Sequence, residues 1–348
     1  MKRIKSLILN NCGAVPPLDI SSFQNLNLII GENGTGKTFV LKAMYAAVRA
    51  AEDYKRGNDS RAFPEILSER LRWTYQVDKI GDIVNRNSDS ALEFDMFVDI
   101  LMKNSLIPLT KEIQFSFNKS TRVKVSNAQY NGKESIGNSI FIPAKEIISL
   151  INVILKSRDF DKSFGYDDTY YELAKALNIT SLSNGQKYGD VCAKIAKIMG
   201  GKVEFDSKTQ SWQYIKNGKK LSINITSEGI KKLAIISRLL ESGYVTENSI
   251  IFIDEIESAL HPKAISDLLD IIEFIAYDLG LQVFISSHSY FVIKKMYLIA
   301  LKRKQPLPCI SLTSNVAKYY DMSNGMPDNS IIDESIRLYE EEVSGVLW

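Results

Sequence analysis

Apolar positions alternate or run unbroken over strand length in Ile4 to Leu9 and Leu26 to Ile30, and the turn-rich Gly13, Pro16 and Pro17 separate the two. After residues 31–38 the stretch FVLKAMYAAVRAAEDY places alanines, Leu41, Met44 and Val48 where a helix of about three to four turns wants them. The start of the chain therefore reads as strand, glycine loop, helix. Residues 58–110 read as largely helical and weakly patterned, an inserted arm. EIQFSF (112–117) and TRVKVS (121–126) alternate as a two-strand unit, 139–142 as a short strand, 145–156 as a helix, and the acidic 158–168 as an exposed loop, with helical patches running on to Met199. Gly200-Gly201 precedes KVEFDS, SWQYI and LSINI, and Asn217-Gly218 is a strong hairpin-turn signal, so a small antiparallel sheet is expected there. From Glu228 onward the order is helix (228–242), strand SIIFI (249–253), helix (262–279), strand LQVFI (281–285), helix (289–303). Strands this uniformly apolar suit a parallel sheet covered on both faces. No internal repeat, low-complexity tract or long heptad run is present.

Composition narrows the function without naming it. The 43 basic and 41 acidic residues leave a formal charge of +2, so a nucleic-acid or membrane partner has to be met by local patches rather than by a one-signed surface. Clusters at Lys216/Lys219/Lys220, Lys231/Lys232 and Lys302/Arg303/Lys304 keep DNA open as a partner. The apolar stretch Leu7-Ile8-Leu9 is too short for the core of a signal peptide, and no run approaches the roughly 20 apolar residues that cross a bilayer. Cys12, Cys192 and Cys309 are isolated, with neither metal-ligand spacing nor a disulfide framework. A cytoplasmic setting, with no membrane partner, is the expectation.

Chemistry concentrates in three places. GENGTGKT at 31–38 fits the phosphate-binding loop, which turns backbone N–H groups around phosphate oxygens at a helix N-terminus. Gly31, Asn33, Gly34 and Gly36 shape that cradle, Lys37 neutralises β/γ-phosphate charge and Thr38 ligates Mg²⁺, which makes Mg·ATP the expected cofactor pair. IIFIDEIESALHP at 250–262 is a buried strand ending in two carboxylates. Asp254 is expected to hold Mg²⁺, and Glu255 to orient and polarise the attacking water as catalytic base. FISSHSYF at 284–291 sets His288 just past the next strand, where an imidazole can hydrogen-bond a γ-phosphate; His261, the chain's other histidine, stands before Pro262 at a helix start. Asp159-Phe160-Asp161 looks like a nuclease metal pair but lacks the accompanying strand and Glu signals.

With these motifs in this order, the chain resembles the ABC-type ATPases of the RecF, SMC and OLD-like superfamily, and DEIESALHP is most similar to the OLD-like branch of prokaryotic phage-defence and toxin systems. FIPAKEI at 141–147 looks like that branch too, and by analogy fills a lid-coupling loop in which Lys145 contacts nucleotide or partner. The resemblance implies an α/β P-loop NTPase of ABC type: a mixed, largely parallel sheet core with an antiparallel β subdomain and a helical insertion. It implies one domain over 1–348, with a P-loop lobe (1–57), a helical insertion arm (58–110), a lobe of β-hairpins and helices (111–225), and a lobe carrying signature, Asp-Glu and His switch (226–348). It also implies a signature loop that closes on the nucleotide of the opposite subunit. LSNGQ (182–186) is closer in letters, but TSEGIKKLAII (226–236) opens the helix leading directly into the catalytic strand, so Ser227 and Gly229 are the expected donors of a hydroxyl and an unobstructed N–H. The missing coiled coil, LSGGQ-like signature and DEPTSALD-like sequence set the chain apart from full-length SMC proteins and transporter subunits. Only about 60 residues follow His288, too few for the Toprim nuclease of OLD proteins.

The expected activity is ATP hydrolysis by a homodimer, or a higher even-numbered homo-oligomer, that switches a separate effector protein. A RecF-like DNA-repair ATPase, a non-hydrolysing nucleotide-bound scaffold and a transporter motor are the rivals. On this reading Ser227→Ala leaves ATP binding by the monomer intact and abolishes dimer closure and turnover, whereas Ser183→Ala changes little; gel filtration with ATP and a phosphate-release assay separate the two, and reversed effects identify LSNGQ as the signature instead.

Overall fold

The computed structural model describes all residues except 102–106, 133–136, 180–187, 207–208, 210 and 347–348. The LSNGQ segment lies outside the described residues. A six-stranded sheet forms the centre, in the order β14 (Ala317–Asp321), β13 (Pro308–Leu312), β3 (Leu26–Gly31), β12 (Gln282–Ser287), β11 (Ile250–Ile253), β7 (Ile140–Ile142). All neighbours are parallel except the β13–β14 edge pair. Alternate residues of one strand feed different cores: Ile251 and Ile253 of β11 face one, Ile250 and Phe252 the other. This is why the strands read as unbroken apolar runs rather than as alternation. On one face Phe141, Phe252 and Phe284 stack across β7, β11 and β12 with ring centroids 6.4 and 5.4 Å apart, and Phe23 meets Phe284 edge-on at 5.0 Å.

Helix α1 (Lys37–Asp53) lies on that face beneath a second, antiparallel sheet ordered β2 (Leu18–Ile20), β1 (Lys2–Asn10), β4 (Leu92–Ile100), β5 (Leu109–Phe117), β6 (Asn127–Tyr130). Apolar residues of β1, β4, β5, α1 and the central strands share one core. A helix enclosed between two sheets has no solvent face, and the alanines at 43, 46, 47, 50 and 51, all buried, let it fit. Helices α3 (Ile151–Asp159), α4 (Asp168–Asn178), α5 (Gly189–Met199), α6 (Glu228–Glu241), α7 (Pro262–Tyr277) and α8 (Tyr290–Arg303) contribute to the other core, together with Trp212 and Tyr214 of a three-stranded sheet, β8 (Lys202–Asp206), β9 (Ser211–Lys216) and β10 (Lys219–Ser222). Asn217 and Gly218 both take positive φ, 50° and 75°, as the Asn-Gly hairpin requires. Among the described residues no helix is long and apolar enough to cross a membrane.

Several local expectations are corrected. Among the described residues of 58–110 only Phe63–Tyr75 is an α-helix (α2), and Leu92–Ile100 is a strand whose Leu92, Phe94, Met96, Val98 and Ile100 are buried. The acidic residues between them, poor strand formers, sit on the less buried face and mask the alternation. TRVKVS is not a strand: carbonyls of Thr121 and Arg122 accept from Gly81 and Ile80, and the Val125 N–H donates to Ser68 Oγ, so its backbone is committed to a neighbouring turn and to α2 rather than to a ladder. The helix expected over 145–156 spans Ile151–Asp159 instead, and LSINI passes from β10 into a 3₁₀ turn at Ile223–Ile225.

The acidic 158–168 segment is not wholly an exposed loop either, since it begins inside α3 and ends in buried Asp167 and Asp168. Asp168 accepts from Arg70 Nη1 and Arg158 Nη2, both at 2.8 Å, while Glu172 binds Arg70 at 3.1 Å and Arg49 at 3.0 Å. Arg49 also pairs with Glu52, which binds Lys2 of β1 and the backbone N–H of Ser139 beside β7. The network joins the far end of α1 to both sheets and to α4. Burial pushes Glu172 upward, yet Arg70 and Arg49 outweigh it and hold the carboxyl at about 2. Glu172→Ala removes one of several carboxylates from buried Arg49 and partly buried Arg70 and is expected to cost about 1–3 kcal/mol in urea unfolding, whereas an exposed carboxylate such as Glu334→Ala should change stability by about 0.5 kcal/mol or less.

Candidate active site

The carboxyl ends of β3, β11 and β12 open onto one cleft, because in a parallel sheet the connections on that side all leave in the same direction. β3 runs straight into the glycine loop. At Gly31 the backbone adopts φ 152°, and a Cβ would stand 2.4 Å from the Leu312 carbonyl of β13. At Gly36 φ is 94°, and a Cβ would meet Val15 at 2.6 Å. Only glycine fits either position. Asn33 and Gly34 form the exposed crest of the loop. Lys37 opens α1 and donates from Nζ to the carbonyls of Gly31 (2.7 Å) and Glu32 (2.8 Å), so its ammonium lies within the loop. Burial lowers its pKa, and the charges of Glu255, Asp254, Glu257 and Glu32 oppose that shift. Ser330 at the start of α9 (Ser330–Val346) donates to Glu32 at 2.7 Å, tying that helix to the loop.

Across the cleft, Thr38 Oγ1 lies 3.0 and 2.9 Å from the two carboxylate oxygens of Asp254. Ser286 Oγ of β12 donates to Asp254 Oδ1 at 2.5 Å and accepts the Glu255 N–H at 2.9 Å. Burial pushes the Asp254 carboxyl up, and the Ser286 and Thr38 hydroxyls draw it back down. Thr38 and Asp254 present adjacent hard oxygens, the donor set Mg²⁺ takes when phosphates and water complete its shell. No cluster of three or more His, Cys, Asp or Glu among the described residues could hold a metal by itself. Glu255 adopts φ 42°, turning the chain sharply out of β11, and its half-buried carboxylate lies 3.9 Å from His288 Nδ1.

The structure thus gathers Lys37, Thr38, Asp254, Glu255 and His288 in one place. Ser227 and Gly229 sit elsewhere. Ser227 is the exposed N-cap of α6, and at Gly229 a Cβ would press on Leu260 at 2.9 Å, which ties this helix start to the turn after β11. Lys145 is exposed; its neighbour Glu146 binds Lys231 of α6 at 3.0 Å. His261 caps α7, its Nδ1 accepting the Lys263 N–H at 3.2 Å. Sequence reasoning missed Ser286, Glu257 and Lys232. Ser286 and Glu257 lie inside the motifs but face the site only through the sheet register and the turn. Lys232 is recognisable only once α6 is packed, when its Nζ donates to the Glu255 carbonyl at 3.2 Å.

This fold and this site define a P-loop NTPase of ABC type. The chain belongs to the family described as "AAA domain, putative AbiEii toxin, Type IV TA system", which matches residues 49–294, a span containing the Asp254-Glu255 strand and His288 but beginning after the glycine loop. It is 24% identical over 322 residues to an "ATP/GTP phosphatase" of Helicobacter pylori, covering 82% of this chain and 85% of that one. A "DNA replication and repair protein RecF" of Bacillus cytotoxicus is 32% identical over 94 residues, 27% of this chain and 23% of that protein. An Smc head domain with an extended coiled coil from Pyrococcus furiosus, solved bound to the C-terminal domain of ScpA, aligns with a TM-score of 0.53 at 12% identity over 98% of this chain and 99% of that one, a likeness of fold.

Burial lowers the Lys232 ammonium to about 8, against the pull of Glu257, Glu255 and Asp254. In the unfolded chain this lysine keeps its proton up to about 10.5, so between about 8 and 10.5 the unfolded state binds more protons and folding stability from this group rises with pH. The stability of wild type relative to Lys232→Met is therefore expected to climb across that window in urea titrations; a difference that stays flat contradicts the burial of the charge.

Proposed function

We propose that the chain is an ATPase working as a dimeric switch in the cytoplasm, and that it controls a separate effector protein in a prokaryotic phage-defence or toxin-type system. The observation that carries the reading is the Thr38–Asp254–Ser286–Glu255 arrangement, in which a phosphate-loop hydroxyl, a metal-organising carboxylate and a water-polarising carboxylate meet at the ends of parallel strands. Lys37 and the loop N–H groups bind the phosphates of ATP, and Thr38 and Asp254 hold Mg²⁺. Glu255 orients and polarises water for attack, and His288 hydrogen-bonds a γ-phosphate oxygen. Ser227, exposed at the N-cap of α6, and Gly229 beside it complete the site of the opposite subunit. Closure then depends on nucleotide state, and the differential contacts shift the dimer between closed and open forms.

The family's description as a putative toxin of a type IV system and the DEIESALHP phrase both support the toxin-type or defence setting. A RecF-like DNA role draws on the 94-residue match; it requires DNA to stimulate turnover and added salt to suppress the stimulation.

Native mass spectrometry of Glu255→Gln tests the switch, because blocking hydrolysis accumulates any closed state. With Mg·ATP the expected outcome is a shift to an even-numbered oligomer carrying one nucleotide per chain. A mass that does not change with nucleotide removes the dimer mechanism.

A further inference from the structure

Resting on that hydrolytic reading, we propose that Glu257 is a positioning residue that fixes His288 and keeps it away from Glu255. Glu257 lies on the turn after β11, with its side chain 9% exposed. One of its oxygens, Oε1, accepts the backbone N–H of His288 at 2.8 Å and stands 3.3 Å from the Nδ1 of the same residue. A single atom therefore engages both the main chain and the ring of His288. That proximity sets the carboxylate against Nδ1 and leaves Nε2 for a phosphate oxygen; carboxylate and phosphate oxygens both only accept, so the ring joins them with a proton on each nitrogen. The remaining oxygen, Oε2, is buried and has no hydrogen-bond partner among the described residues.

The competing contact shows what Glu257 prevents. Nδ1 also faces the Glu255 carboxylate, 3.9 Å away. If Glu257 did not hold the ring, a small rotation would bring Nδ1 into hydrogen-bond range of the base, occupying an oxygen that has to address water. Lys232 supports the same turn from α6, since it donates to the Glu255 carbonyl and feels the charge of Glu257. The helix that begins at Ser227 is thereby linked to the residues around His288.

The two histidines make the test direct. In protein labelled with ¹⁵N-histidine, His288 and His261 give two sets of ring resonances, and His261 caps α7 through a separate bond. Glu257→Ala is expected to shift the Nδ1 resonance of His288 and leave His261 in place. Glu257→Gln, which keeps a carbonyl acceptor, should shift it less and should serve if the alanine variant is poorly folded. In steady-state assays Glu257→Ala should lower kcat about tenfold or more with KM for ATP within about threefold, and Glu257→Gln should recover part of the loss. The Glu257→Ala/His288→Ala double variant should be no slower than His288→Ala alone. An unmoved His288 resonance, an unchanged kcat, or a further loss beyond about threefold in the double variant overturns the proposal. Wild-type protein without turnover would instead overturn the hydrolytic reading, and the ring resonance would still decide the Glu257–His288 contact.

Discussion

Asp254 must carry a carboxylate out of a strand whose four residues are all buried, and the hydrogen bonds that hold it there set the geometry of the whole cleft. Its N–H donates to the Ile142 carbonyl of β7 at 2.9 Å, and its side chain accepts from Ser286 of β12 and Thr38 of α1. Three elements, far apart in sequence, thus meet at one residue. A parallel sheet buried on both faces can place polar side chains only where the strands end, so the register pairing Ile253 with Ile285 also brings Ser286 alongside Asp254 and Glu255. The cost of burying the carboxylate is offset first by two hydroxyl donors and then by the nearby charge of Lys42. That leaves the oxygens able to take a metal.

Helix α1 carries this arrangement through the molecule. Its first turn bears Lys37 and Thr38; its far end bears Arg49 and Glu52, locked to Lys2, Ser139 and Glu172. Between them the alanines allow the antiparallel sheet and the central sheet to close on the helix from both sides. The phosphate loop is therefore anchored at one end of a buried rod whose other end is fixed by charge pairs. Such pairs add little net stability, but they penalise misplacement, because a largely buried guanidinium that loses its carboxylate keeps its desolvation cost uncompensated.

On the opposite side, α6 reaches the site through contacts of a different kind. Gly229 against Leu260, Lys232 to the Glu255 carbonyl and Lys231 to Glu146 join it to the turn after β11 and to the loop after β7. In the proposed switch, that is where the state of one nucleotide site reaches the surface offered to the other subunit. Glu257 occupies the same turn, which carries left-handed backbone at both Glu255 and Ala259. Backbone held in that conformation by side chains from neighbouring elements is typical of sites where geometry serves chemistry.

What the sequence determined by itself is the local chemistry and the central architecture. GENGTGKT between a strand and a helix, IIFIDE as a buried strand ending in two acids, and His288 past the next strand were legible because each motif's residues are neighbours in the chain and need no partner to be recognised. Apolar strands of that uniformity likewise announced a two-sided sheet. Where polar residues share an element with apolar ones, the pattern misled: β4 hid behind its acids, TRVKVS alternated without a strand to pair with, and Asp168 looked solvated until Arg70 and Arg158 closed on it. Only the tertiary structure decided the placement of Ser286, Glu257 and Lys232. A hydroxyl, a carboxylate and an ammonium acquire meaning from what the fold sets within about 3 Å of them, and that distance depends on strand register and helix packing, which the local sequence does not encode.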